Sequence, residues 1–242
     1  LELDTPNSRF VARALVELGK STIDRAWAYL TGWTALDRAR VPAKHRRELL
    51  RSKFVAAETQ ALTEVRRWST SRSGEPLFVI GGVGTGKSFA GAEWLLGCHR
   101  ARRTILWLSA SSLAAIRFDR DKKREQDRDV TTLADEKDRA LEPWALVLDD
   151  IGSGVLTPTI LAHVRGLLFE RAEAGRPTLV LLNKCKDVDK GADATASDAA
   201  WVNANLIDAR LMDRMASGGG GIRVMRSTRS LRHPEEDDLE PD

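Results

Sequence analysis

Gly81-Gly82-Val83-Gly84-Thr85-Gly86-Lys87-Ser88 follows the apolar run Pro76-Leu77-Phe78-Val79-Ile80 and opens a helix-like stretch. These eight residues match G-x-x-x-x-G-K-[ST], a phosphate-cradling loop, in the strand–loop–helix setting the motif needs. Glycine tolerates positive φ, so backbone N–H groups can close around a polyphosphate. The helix after the loop points its positive dipole end at the same anion. Gly81, Gly82, Val83, Gly84, Thr85, Gly86, Lys87 and Ser88 are therefore the candidate nucleotide-binding residues. Lys87 is the charge for the β- and γ-phosphates, and the Ser88 hydroxyl is a candidate Mg²⁺ ligand.

Outward from the loop, short apolar runs alternate with helical stretches. Leu77–Ile80, Thr104–Leu108, Ala145–Leu148 and Thr178–Leu182 read as strands, each continuously apolar as parallel strands buried on both faces are. Ser88–Arg100, Ser111–Arg117 and Ile160–Ala174 read as helices. The alternation predicts a three-layer α/β domain with a parallel sheet. Residues 119–142 are strongly charged and read either as an exposed, ion-paired helix or as a loop.

Ala145-Leu146-Val147-Leu148-Asp149-Asp150 is a buried strand ending in two carboxylates. Acids at the C-terminal edge of a parallel sheet lie beside the ligand crevice. Asp149 is expected to support Mg²⁺ through water, and Asp150 to orient or activate the attacking water. The next strand ends in Asn183, whose amide can hold that water near the γ-phosphate. Asn183-Lys184-Cys185-Lys186 lacks the carboxylate of the guanine-reading N-K-x-D pattern, so ATP is the expected nucleotide. Further on, Arg210 and Arg214 stand four apart on one helix face. At a subunit edge such an arginine can reach a neighbour's γ-phosphate; the same spacing also suits an ordinary surface ion pair.

The chain has 242 residues, 42% apolar and 30% charged, the balance of a globular protein with a real core. Residues 1–70 read as a helical, basic N-terminal segment for binding a partner, with 71–75 as linker. Residues 76–232 form the ATPase domain, and 233–242 an acidic, disordered tail. Pro234–Asp242 holds six acids and no base, so the rest of the chain stands at +9, six above the net +3. A basic body suits a polyanionic partner such as nucleic acid. Two cysteines, Cys98 and Cys185, are too few for a disulfide framework or metal cluster, and they fit a reducing compartment. No apolar stretch nears the ~20 residues that span a bilayer, so no membrane role and a cytoplasmic location are expected. The seven tryptophans lie mostly in apolar patterns; Trp33 and Trp68, in the helical segment, are the two that could instead anchor a partner. His163 has no partner set for a metal.

Several of these motifs together resemble the AAA+ ATPases of the bacterial helicase-loader type, the DnaC family and its transposition relative IstB. Leu148-Asp149-Asp150-Ile151-Gly152 looks like that group's aspartate pair, and Arg176-Pro177-Thr178 leads into a strand like its sensor strand ending at Asn183. Asp208–Met215, then Gly218 and Ser227-Thr228-Arg229, resembles its closing block. The resemblance covers 76–232 and implies a P-loop AAA+ domain with a reduced or absent lid, ATP and Mg²⁺ as cofactors, and self-association through AAA+ interfaces. By it Arg214 is the arginine finger and Arg229 a second arginine sensing the γ-phosphate. It further implies loading of a hexameric DnaB-type replicative helicase through the N-terminal helices, with single-stranded DNA held by residues such as Ser111, Ser112, Arg117 and Phe118. The IstB side of the resemblance implies instead a regulator of DNA transposition that assembles on duplex DNA and recruits a transposase. Thr228 stands where an aromatic is common, and the run Gly218–Gly221 is a departure from the family pattern.

Overall fold

The apolar runs become five strands: β1 (Leu77–Gly81), β2 (Ile105–Ser109), β3 (Ala145–Ile151), β4 (Thr178–Asn183) and β5 (Gly221–Val224). The structure, a computed structural model, describes residues 31–50, 59–70, 74–114, 133–152, 156–183, 194–217 and 220–225. The strands form one sheet in the order β2-β3-β4-β1-β5, and every pairing is parallel. After β1 the chain passes over β4 and β3 to the sheet edge, returns strand by strand, then crosses β1 to add β5. β1 is thus the point where the direction of winding reverses, and its C-terminal end opens onto the ligand crevice of such a sheet.

Helices cover both faces. They are α1 (Ala43–Leu50), α2 (Gln60–Thr70), α3 (Lys87–Arg100), α4 (Leu133–Leu141), α5 (Pro158–Glu173), α6 (Ala194–Leu206) and α7 (Ala209–Ser217), with further helical stretches over 31–38 and 110–114. Successive strand residues alternate between the two cores, as the two-residue period of a strand requires. Leu77, Val79, Ala145 and Val147 join Ala90 and Leu95 of α3 on one side. Phe78, Ile80, Leu146 and Leu148 join Val164 and Leu168 of α5 on the other. This is the three-layer α/β arrangement expected from the sequence.

The α3 side also takes in Leu36, Ala39, Val41, Ala61, Leu62, Val65 and Trp68. Residues on both sides of the 71–75 linker therefore share one core. Trp68 is buried, packs on Trp94 with ring centroids 5.0 Å apart, and donates its indole N–H to the Glu75 carbonyl. Trp33 lies under the Arg46 guanidinium. The open edge of β2 is met by the segment before α1, where Trp107 N–H donates to the Ala39 carbonyl.

Beyond Asn183, α6 and α7 pack into the α5-side core through Val202, Leu206, Leu211 and Met215. Among the described residues they do not form a separate lid. The glycine run leads into β5 for a steric reason. A Cβ on Gly220 would come within 2.5 Å of Glu75 Cβ and 2.7 Å of the Pro76 carbonyl. Within 119–142, α4 is a helix; 115–132 lie outside the described residues, as do 1–30 and the acidic tail.

Candidate active site

β1 ends at Gly81 and the loop turns back through two left-handed residues, Gly84 (φ 85°) and Gly86 (φ 84°). Only glycine adopts that conformation without strain. Gly86 serves as N-cap of α3, so the first free N–H groups of the helix face the loop's hollow. Lys87 is 6% exposed, and its amine donates to the carbonyls of Gly81 (2.8 Å) and Gly82 (2.7 Å). Thr85 Oγ1 donates to Gly82 O at 2.9 Å and fixes the same turn. Val83 stands out at the loop tip, 62% exposed. Thr59, just ahead of α2, abuts the loop, since a Cβ on Gly86 would lie 3.0 Å from its hydroxyl. Nothing in the sequence pointed to Thr59, because only tertiary packing brings α2 there.

The second strand of the site interrupts its own pairing. The β3–β4 register shifts between Leu148 and Ile151. Leu146 and Leu148 face the α5 side; the regular period would place Asp150 there next, yet Ile151 takes that place. One extra residue has been inserted, as in a β-bulge, and Asp150 carries the strain at φ 59°. The bulge turns the Asp150 carboxylate out of the core. It also aims its N–H at Asp149 Oδ1, 3.0 Å away.

Asp149 is 6% exposed and accepts from the Ser88 hydroxyl at 3.4 Å. Burial pushes its carboxyl up to about 6, and the neighbouring Asp150 charge adds to the rise. The Asp150 N–H, the Ser88 hydroxyl and the Lys87 charge act in the opposite direction. Asn183, opposite Gly81 in the β1–β4 register, donates its amide N–H to Asp150 Oδ1 at 2.9 Å. Lys87, Ser88, Asp149, Asp150 and Asn183 thus meet on one sheet edge, from three separate stretches of chain.

This set suits a phosphate-bound Mg²⁺. Ser88 Oγ and Asp149 Oδ1 are hard oxygens 3.4 Å apart, close enough for the hydroxyl to bind one ion and the carboxylate to hold a water on it. Among the described residues no three His, Cys, Asp or Glu side chains gather as a metal cage. An ion held by one hydroxyl, one carboxylate and substrate phosphates needs none.

The arginines sit elsewhere. Arg214 donates to Glu173 Oε1 (2.8 Å) and to the Ala172 carbonyl (3.2 Å) at the end of α5. That end leads through Gly175 into the start of β4, whereas Asn183 closes the strand. Six residues at ~3.3 Å each put Arg214 and the phosphate loop on opposite sheet edges. Arg210 lies over the Phe169 ring at 4.3 Å and pairs with Asp208 at 3.2 Å. Glu173 and Phe169, which hold these arginines, had no sequence signal. Ser111 and Ser112 bond Ser109 Oγ at 2.8 and 2.9 Å, forming a hydroxyl cluster at the end of β2. Arg117, Phe118, Cys185 and Arg229 lie outside the described residues.

A strand–glycine loop–helix unit, with a loop hydroxyl meeting a carboxylate from a nearby parallel strand, places the chain in the class of P-loop α/β proteins. No protein-family model matches it, and no curated protein does. Among solved structures it is similar to AMPPCP-bound DnaA from Aquifex aeolicus, with 15% identity, TM-score 0.49, and coverage of 76% of this chain and 51% of that one. It is similar to the DnaC helicase loader, with 16% identity, TM-score 0.46, and coverage of 81% and 99%. It is also similar to DnaI, with 16% identity, TM-score 0.43, and coverage of 72% and 85%. The chain spans about half the length of the first solved structures it matches.

Proposed function

We propose that the chain is an ATP-dependent loader of a hexameric replicative helicase, working through an AAA+ ATPase core. The observation that carries the ATPase part is the Ser88–Asp149 contact at 3.4 Å beside the Asp150–Asn183 bond at 2.9 Å. The loader part rests on the resemblance of 148–152, 176–183 and 208–229 to the helicase-loader group, a core pattern that does not separate a loader from the transposition relative.

The loop N–H groups and Lys87 hold the polyphosphate. Lys87 exchanges its carbonyl partners for phosphate oxygens, a stronger, charge-assisted set. Ser88, with Asp149 acting through water, would hold Mg²⁺, which would supply positive charge to the phosphates. Asp150 accepts a hydrogen bond from the attacking water, and Asn183 fixes the angle of that carboxylate. Arg214 acts on the γ-phosphate of an adjoining copy. Binding favours an assembly on single-stranded DNA with the helicase held by the N-terminal helices, and hydrolysis releases it.

Steady-state ATP turnover tests the core. Lys87→Ala is expected to lose nucleotide binding and turnover together. Asp150→Asn is expected to keep ATP binding and lower kcat by about 10²-fold or more. Turnover by Lys87→Ala equal to that of the parent chain would remove the ATPase assignment. A tagged pull-down with ATP, read by mass spectrometry, tests the partner. A replicative helicase recovered with the chain, and lost on deleting 1–70, supports the loader. A transposase recovered without helicase moves the chain to transposition control.

A further inference from the structure

A cleft of about 730 Å³ lies between α2 and α3, running from Ala90, one turn past Lys87, to the far end of α3. Trp68, Trp94 and Trp144 help to wall it, with Arg66 and Arg103 at its sides. It opens at the edge where β3 and β4 begin, beside Trp144 and Pro177. α3 joins the two places: Lys87 starts it at the loop, and Gly97 lines the cleft near its other end, about 15 Å along the axis at 1.5 Å per residue.

Three observations say what the cleft takes. First, Arg100, Arg102 and Arg103 are exposed at the end of α3 and, among the described residues, pair with no carboxylate. Arg100 shares a helix face with Glu93 and Gly97, which both line the cleft. The carboxylate of Glu93 is itself taken by Arg66 at 2.7 Å. The rim is therefore cationic. Second, Trp68 and Trp94 are 5% and 9% exposed, and the ring of the half-buried Trp144 is covered by the Arg103 guanidinium at 5.1 Å, so the three offer apolar wall and no free ring face for a base to stack on. A side chain, not a nucleobase, fits such walls. Third, Gly97 interrupts the helix interior although a Cβ there would meet nothing within 4 Å. Packing does not require the glycine, and it weakens the helix relative to alanine. Its effect is to leave the cleft open.

We propose that this cleft docks residues 233–242 of this chain, their acids on Arg100, Arg102 and Arg103 and the Leu239 side chain against the tryptophans. Guanidinium groups suit carboxylates because they can bind them bidentately. That segment carries six acids around Leu239.

The test uses a fluorescein-labelled peptide of residues 233–242 and fluorescence anisotropy at low salt. One acceptor is the full chain. A second is the full-length chain with Glu235→Gln, Glu236→Gln, Asp237→Asn, Asp238→Asn, Glu240→Gln and Asp242→Asn, so that its own tail does not compete. Saturable binding is expected, weakened about tenfold by Arg100→Ser, Arg102→Ser and Arg103→Ser together. A Leu239→Ser peptide is expected to weaken it likewise. Gly97→Leu, which fills the cleft without touching the core, is expected to abolish binding while the thermal midpoint holds. Absence of saturable binding to both acceptors would overturn the proposal, as would binding indifferent to Gly97→Leu. Binding of oligo(dT), and not of peptide, through the same arginines would assign the patch to nucleic acid and overturn it too.

Discussion

Asp149 is held by opposing influences, and their balance has a sign that can be measured. Its carboxyl is raised from 3.8 to about 6, burial being the main cause. Between those values the folded state keeps a proton that the unfolded chain has released. Stability from this group therefore falls as pH rises through that window, and the full cost is present above it. About two pKa units at 1.36 kcal/mol each make that cost roughly 3 kcal/mol. Asp149→Asn is expected to stabilise the nucleotide-free protein by up to that amount at pH 8 and to add little at pH 4. Urea unfolding at the two pH values checks it; an equal gain at both would place the cause outside ionisation. The motif announced Asp149 as a metal-side residue, but its burial and its bond to Ser88 belong to the fold.

At the level of elements, α5 is bolted to the sheet by a cation. Arg171 is fully buried and donates to Thr178 Oγ1 and to the carbonyls of Ala140, Pro143, Trp144 and Pro177 at 2.7–3.1 Å. Carbonyl dipoles stand in for a counter-ion, and burial lowers the guanidinium to about 9, so it stays charged at neutral pH. One side chain thus ties the end of α4 and the starts of β3 and β4 to α5. Arg171→Met would leave those carbonyls buried and unpaired. It is expected to cost about 3–5 kcal/mol and to lower the thermal midpoint by roughly 10 °C, read by calorimetry. A loss under 1 kcal/mol would mean that water replaces the guanidinium. Sequence periodicity located the α5 helix, but nothing in the sequence singled out Arg171 within it. The bulge in β3 was equally hidden, because the sequence reading ended that strand at the aspartate pair and the inserted residue shows only in the pairing with β4.

Across the whole molecule, the loop and Arg214 lie on opposite sheet edges, so Arg214 does not reach the phosphate loop of its own chain. Under the proposed function, turnover per chain should rise with protein concentration. Arg214→Ala should bind ATP normally and lose turnover by about 10³-fold. Mixing it with Lys87→Ala chains should restore part of the rate, because each variant supplies what the other lacks. A rate that stays at the sum of the two separate variants would count against an arginine shared between copies. Among the described residues no helix is long and apolar enough to cross a membrane.

The phosphate loop, four of the five strands and the aspartate pair were legible in the sequence because each is local. A glycine run of fixed spacing, or four or five consecutive apolar residues, means nearly the same thing in any surrounding. β5 was missed, since Gly221–Val224 is too short and too polar to read as a strand until it pairs with β1. Residues 1–70 read as a separate segment because their helical period differs from the strand–helix alternation that begins at Pro76. The tertiary structure lays residues 31–50 and 59–70 on the α3 side of the sheet, where Leu36, Leu62 and Trp68 find the apolar surface that the strands leave uncovered. Local chemistry was fixed by residue type and spacing. Contacts between distant stretches, such as Ser88 with Asp149, Thr59 with Gly86 and Arg214 with Glu173, arose only when burial of two apolar sheet faces chose one packing.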